Sequence, residues 1–235
     1  MTTDSFDAYL QRTPDETFTD WLRERSEPAW SETVDHRFVR ELGAGTVDDD
    51  AFRRSLVQDY AFVESLTGLV GRAIADAPSM EAKRRLGTFL ATLTSEENDY
   101  FERSFDALDV PEADRTDPDR LPVTEALEDL LGRAGREGDY EETLAVLLPG
   151  EWCYLAWASD LADADPDAFY LAEWIGLHAV EDFAAFVSWL RGKLDRRGQE
   201  LPPRRRRRVA RHFRRTMTLE RAFFDAAYDA PRSPD

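Results

Sequence analysis

The chain has one cysteine, Cys153, three histidines and, among 30 basic residues, only two lysines, Lys83 and Lys193. A single cysteine excludes an internal disulfide and a cysteine-based zinc site. Set beside Trp152, Tyr154 and Leu155, it reads as a small buried hydrophobe. No apolar run approaches the roughly 20 residues that cross a bilayer, so no membrane association is expected. Met1 to Asp15 is acidic and polar, without the basic and apolar stretches of a secretory signal. That predicts a cytoplasmic protein. Strand-like alternation of period two never lasts more than a few residues, which points to an all-α chain.

What the chain has in excess is acid. Its 235 residues carry a net charge of −18. An acidic, lysine-poor surface stays hydrated where salt screens its self-repulsion, so adaptation to molar salt is expected. The same charge argues against nucleic acid, whose affinity comes from neutralised phosphates. One basic stretch runs the other way: Arg204 to Arg208, then Arg211, Arg214 and Arg215. It reads as a solvated helix face paired with acidic neighbours. With 14 Phe, 7 Tyr and 6 Trp in a 42% hydrophobic composition, the chain is rich enough for a sizeable core.

Helical periodicity predicts segments near 16–32, 35–43, 48–76, 79–108, 121–135, 140–163, 168–196 and 203–228. Gly43 and Gly45 break one junction, and Gly198 with Pro202 and Pro203 breaks another. Pro111, Pro118 and Pro122 mark a long loop over 109–121. No linker is long enough to divide the chain. Residues 1–235 are read as one domain, with 1–15 and 231–235 flexible.

Four of these segments place a carboxylate on an apolar stripe. Asp59 follows Phe52 and Leu56 and precedes Val63 and Leu66; Glu97 lies between Leu93 and Phe101. Glu151 lies between Leu148 and Leu155, and Glu220 between Phe213 and Phe223. Steps of three and four keep such residues on one helical face. Burying a carboxylate without partners costs several kcal/mol or more. Four inward acids therefore form either buried pairs with Arg, Tyr or His, or a site. A di-iron bundle wants Glu three residues before His, yet Thr33, Ile175 and Val209 precede His36, His178 and His212. A metal-free site for a small, flat, basic heterocycle suits the residues better. Acids bond ring nitrogens and amino groups and exchange protons when burial moves their pKa toward neutrality. Phe62, Trp152, Tyr154 and His178 supply rings near these acids. Glu97 is open to two readings, a site residue or a structural partner of His36, and the structural one is preferred.

At these same residues the sequence resembles the TenA-like family. The segments are 36–60 (HRFVRELGAGTVDDDAFRRSLVQDY), 147–154 (LLPGEWCY), 170–190 (YLAEWIGLHAVEDFAAFVSWL) and 219–228 (LERAFFDAAY). They come in the family's order and span roughly residues 30 to 230. The resemblance implies a heme-oxygenase-like multi-helix bundle that binds no haem. It also implies a homo-oligomer, tetramer or dimer, that takes a small pyrimidine and needs no cofactor or metal. The implied activity is that of an aminopyrimidine aminohydrolase, or thiaminase II. Such enzymes convert 4-amino-5-aminomethyl-2-methylpyrimidine to its hydroxymethyl form in thiamin salvage. Asp59 resembles the acid that grips the pyrimidine's amino group and ring nitrogen. Tyr154 matches the pocket tyrosine, Phe62 an aromatic lining residue, and Glu220 the proton-transferring glutamate.

The sequence departs from many members where their nucleophilic cysteine follows Leu-Pro; here that residue is Gly150. Glu151 and His178 are similar to a second branch that carries a glutamate instead. Leu127 stands near an expected pocket tyrosine. The expected mechanism has Glu220 protonate the leaving amine, Asp59 polarise the ring, and Glu151 activate water or add covalently. The alternatives are deformylase or amidohydrolase action on an N-formyl-aminopyrimidine, a non-catalytic pyrimidine binder or regulator, and a di-iron oxidase on the same fold. The histidine pattern disfavours the last, and the acidic surface disfavours a regulator on DNA.

Overall fold

In the computed structural model residues 5–229 are described, and among them every regular element is a helix. Two short N-terminal helices, α1 (Phe6–Arg12) and α2 (Phe18–Glu24), are capped by Ser5 and by a Thr17–Asp20 capping box. Then come α3 (Ala29–Val34) and α4 (Arg37–Gly43). The long α5 (Asp49–Asp76) starts at an Asp48 cap. It is followed by α6 (Met80–Leu93), α7 (Glu96–Ala107), α8 (Glu112–Thr116) and α9 (Pro122–Glu137). The chain closes with α10 (Tyr140–Asp160), α11 (Phe169–Ala179), α12 (Glu181–Glu200) and α13 (Pro203–Ala226).

The expected helices are present, but several are divided. The 79–108 segment breaks at Thr94 and Ser95. Their hydroxyls donate to the carbonyls of Leu90 and Ala91, at 2.9 and 2.6 Å, offering the backbone an end to the helix. The 168–196 segment breaks at Val180, whose extended backbone ends α11 and starts α12 without glycine or proline. The 16–32 segment ends α2 before Pro28, and α3 starts beyond it. The 109–121 loop holds α8. Flexibility over 1–15 is not what residues 5–15 show: Phe6 and Tyr9 of α1 are buried. The remainder of that expectation, 1–4 and 231–235, lies outside the described residues.

Packing places α10 between α12, α13 and α5, with α9 along α5 and α13. Two apolar clusters result. One gathers Phe18, Trp21, Leu86, Phe89, Trp152 and Phe213; the other gathers Phe38, Phe52, Phe101, Trp157, Trp174 and Phe224. Phe62 and Tyr154 pack against both. The junction of the two clusters is where the site lies.

The basic run at the start of α13 is only partly neutralised. Arg205 pairs with Glu141 at 2.9 Å and Glu142 at 3.1 Å, and also with Asp139. Arg197 holds Glu141 from α12 at 2.6 Å. Glu141 and Glu142 are each 2% exposed, so these guanidiniums offset desolvation that would otherwise cost several kcal/mol.

Candidate active site

Asp59, Glu97, Glu151 and Glu220 come from α5, α7, α10 and α13 and line one cavity of about 570 Å³. Local helix geometry aims each one. Along α5, Asp59, Phe62, Val63 and Leu66 follow steps of three and four and all face the cavity. Gln58 fixes that helix from the other side. Its amide donates to the Asp119 carbonyl at 2.9 Å, and its carbonyl accepts from Leu121 N at 2.9 Å and Thr124 Oγ1 at 2.7 Å. On α10, Leu147, Gly150, Glu151 and Tyr154 form the matching stripe. Pro149 inside α10 removes one rung of the hydrogen-bond ladder beside it. Glu220 lies between Thr216 and Phe223 on α13, and all three line the cavity.

None of the four carboxylates has a hydrogen-bond or ion-pair partner among the described residues. Burial pushes the Asp59 carboxyl up to about 7. Burial, then repulsion from Asp59, lifts Glu97 and Glu220 each to about 8. Glu151 is held well above the usual carboxylate range by burial, then by Glu97, Glu220 and Asp59. Asp59, Glu97 and Glu151 retain some accessible surface, which faces the cavity. Buried pairing, the structural alternative for these acids, is not the arrangement found. Among the described residues no three His, Cys, Asp or Glu side chains gather closely enough to hold a metal ion. The acids are therefore spread around the wall.

His178 and Tyr154 complete this end of the cavity, with ring centroids 5.0 Å apart. His178 Nδ1 lies 2.9 Å from the Trp174 carbonyl, which can only accept, so Nδ1 carries the proton. Nε2 is left as an acceptor. Burial holds the imidazole down at about 4, so it stays neutral at pH 7. Burial, and then Asp59, raises the Tyr154 phenol well above its ordinary value, so it too is neutral.

Two expectations are corrected by position. Trp152 does not line the cavity. It follows Glu151 by one residue, about 100° around the helix, and its ring packs 4.8 Å from Trp30 and under the Arg191 guanidinium at 4.0 Å. Tyr154, three residues on, returns to the face of Glu151. Glu97 is not bound to His36. His36 instead caps α4, with Nδ1 accepting from Phe38 N at 3.0 Å and Nε2 donating to Asp225 at 3.2 Å. Glu97 lines the cavity. Trp174, also in the wall, was passed over, although its place four residues before His178 puts it on the same helical face. Phe62, Asp59, Glu151, Tyr154, His178 and Glu220 line the same cavity, and Leu127 is part of its wall.

Cys153 is fully buried and absent from the wall; its thiol donates to the Gly150 carbonyl at 3.2 Å. Burial raises its pKa well above the ordinary thiol value, the reverse of an activated nucleophile.

The chain has relatives among known proteins. The chain is 23% identical over 216 residues to an aminopyrimidine aminohydrolase of Halalkalibacterium halodurans, covering 91% of this chain and 96% of that one. It is 24% identical over 212 residues to one of Bacillus subtilis, covering 90% and 89%. Among solved structures it is similar to a TenA homologue from P. horikoshii, with TM-score 0.80 and 24% identity over 91% of this chain and 99% of that one. A TenA homologue from Pyrococcus furiosus gives TM-score 0.81 at 19% identity, covering 90% and 100%. The fold is thus the all-α, heme-oxygenase-like bundle of the TenA homologues. A family model described as TENA/THI-4/PQQC matches residues 23–230, and the chain belongs to that family.

Proposed function

We propose that the protein hydrolyses a thiamin-related aminopyrimidine, replacing the 5-aminomethyl nitrogen with hydroxyl. The observation that carries this reading is the set of four unpartnered carboxylates, on four helices, around one ring-lined cavity. Such a wall favours a ligand that brings donors and a basic nitrogen able to take up a proton, as an aminopyrimidine with a side-chain amine does. The aminopyrimidine aminohydrolases to which the chain is similar support the reaction class.

The acids divide by their proton affinity. Asp59, at about 7, gives up its proton before Glu220, at about 8. Asp59 then accepts from the pyrimidine's amino group, which strengthens that nitrogen's electron donation through the ring toward the methylene carbon. Glu220 remains protonated at neutral pH and delivers its proton to the departing nitrogen. Glu151, beside Glu220, takes a proton from the attacking water, its ionised form being favoured once the proton from Glu220 has turned the departing nitrogen into an ammonium group. Water adds to the methylene carbon, the carbon–nitrogen bond breaks, and ammonia leaves. Separate protonation states in neighbouring acids let the pair work as acid and base. His178 Nε2 and the Tyr154 hydroxyl orient the substrate's donors, while Phe62 and Trp174 bound its ring.

A second substrate has an observation in its favour. The cavity continues past the acids to Arg84, Arg85 and Thr88 of α6, which leaves room for an acyl group on the amine. Incubating the protein in molar KCl with the aminomethyl-, formylaminomethyl- and thiamin-type pyrimidines separates the readings. Release of ammonia from the first supports the aminohydrolase, release of formate from the second a deformylase, and release of neither rejects both.

A homo-oligomer in a salt-rich cytoplasm is part of the same proposal. Light scattering in high salt tests it. Among the described residues no helix is long and apolar enough to cross a membrane.

A further inference from the structure

The unneutralised arginines of α13 point to a second binding site. Arg205 and Arg208 face the acids of α10, and Arg206 pairs with Asp7 at 2.7 Å while donating to the Gly198 and Gln199 carbonyls. The guanidinium groups of Arg207, Arg211 and Arg214 have no ion-pair or hydrogen-bond partner among the described residues, in a chain where acids outnumber bases 48 to 30. They follow steps of four and three, hence one helical face. All three border a cleft of about 310 Å³, separate from the carboxylate cavity. Phe6 and Trp21 form its apolar side, and Arg25 closes it with its guanidinium 5.2 Å from the Trp21 ring. The buried Trp21 indole N–H has no acceptor among the described residues. Asp7, the one acid in the wall among the described residues, is engaged by Arg206.

Concentrating free guanidinium groups raises the local free energy unless an anion answers them. The chain's overall negative field repels anions, so a ligand must be held at several points. Seven residues of helix cover roughly 10 Å, more than one phosphate spans and suited to two in series. Arg is the side chain best matched to phosphate oxygens. We propose that this cleft binds a small organic diphosphate. Its phosphates lie across Arg207, Arg211 and Arg214, and its organic part lies against the Phe6 and Trp21 side.

The test is calorimetric titration with ADP, AMP and inorganic diphosphate. The proteins compared are wild type, the double variant Arg207→Ser/Arg211→Ser, the single variant Arg214→Ser, and a control, Arg204→Ser/Arg215→Ser, whose positions lie outside the cleft. The proposal expects saturable binding of ADP and of inorganic diphosphate, with AMP weaker. The double variant should lose at least about tenfold in affinity, since each charged hydrogen bond contributes on the order of 1.5 kcal/mol. Arg214→Ser should lose less, and the control pair should match wild type. Pyrimidine turnover should be unchanged in all four proteins. Equal affinity for AMP and ADP, equal losses in control and double variants, or no saturable heat with ADP would each overturn the proposal.

Discussion

A Cβ placed on Gly150 would lie 3.2 Å from Glu220 Oε1, with no side chain between the α10 backbone and the α13 carboxylate. The space over Gly150 is therefore occupied from across the cavity. Gly150→Ala supplies that Cβ and also removes a glycine from a helix interior, which favours folding by up to about 1 kcal/mol. The two effects separate. Thermal stability should hold or rise, while kcat falls about tenfold as Glu220 is pushed aside. Retained kcat would detach Glu220 from proton transfer.

How much of this was legible in the sequence follows from helix geometry. Asp59, Glu151 and Glu220 could be placed because an acid on an apolar stripe is conspicuous at helical spacing. Trp152 misled because neighbours in sequence lie about 100° apart on a helix. Glu97 was misassigned because a stripe gives the face of a residue and not the helix opposite it. The Val180 break carried no glycine or proline to announce it, and α8 was hidden in a stretch marked only by prolines. The second cleft is a tertiary juxtaposition of α1, α2 and α13, which no local pattern encodes.

Glu151 and Cys153 should respond oppositely to isosteric change. Glu151→Gln removes the base beside Glu220 and should lower kcat at least about a hundredfold, with KM little changed. Cys153→Ser keeps a donor for the Gly150 carbonyl. It buries a hydroxyl, at a cost of about 1 kcal/mol of stability, and should leave turnover intact. Steady-state kinetics beside thermal unfolding separates the two readouts. A folded but inactive Cys153→Ser protein would return the nucleophile to the thiol.

The raised carboxyls fix the sign of the protein's pH response. Asp59 at about 7 and Glu220 at about 8 titrate far above their unfolded values near 4. Between those limits the folded chain holds more protons than the unfolded one, so stability falls as pH rises from about 5 to about 8. The empty protein should therefore melt several degrees lower at pH 8.5 than at pH 6, and Glu220→Gln should flatten that slope. In activity the same groups should give a bell-shaped kcat/KM, with limbs near the same values. A melting temperature that climbs between pH 6 and 8.5 would contradict the burial assigned to these acids.

Trp152→Leu tests whether the ring nearest Glu151 in sequence matters to the substrate. The ring packs against Trp30, Phe213 and the Arg191 guanidinium, on the far side of α10 from the cavity. Losing it should lower stability by about 2–4 kcal/mol and leave KM within twofold of wild type. Tyr154→Phe should do the reverse, raising KM with little effect on unfolding, because the hydroxyl has no protein partner among the described residues. If Trp152→Leu raised KM and Tyr154→Phe did not, the face assigned to the substrate would be wrong.

Salt should act on the surface and the cavity in different ways. A net charge of −18 destabilises the folded chain by self-repulsion over tens of ångströms. The screening length shortens from about 10 Å at 0.1 M salt to about 3 Å at 1 M. Raising KCl from 0.1 to 2 M should therefore increase the urea midpoint of unfolding. The m-value should be unchanged, since the surface exposed on unfolding is the same. The cavity carboxylates are shielded from bulk ions, and their influence on the pH slope should survive at 2 M KCl. Exposed ion pairs such as Arg103–Glu173 should weaken, yet these contribute at most about 1 kcal/mol each. Relief of net repulsion wins if the acidic surface is an adaptation to salt. An unfolding midpoint independent of KCl would remove that interpretation and leave the surface charge without a stabilising role.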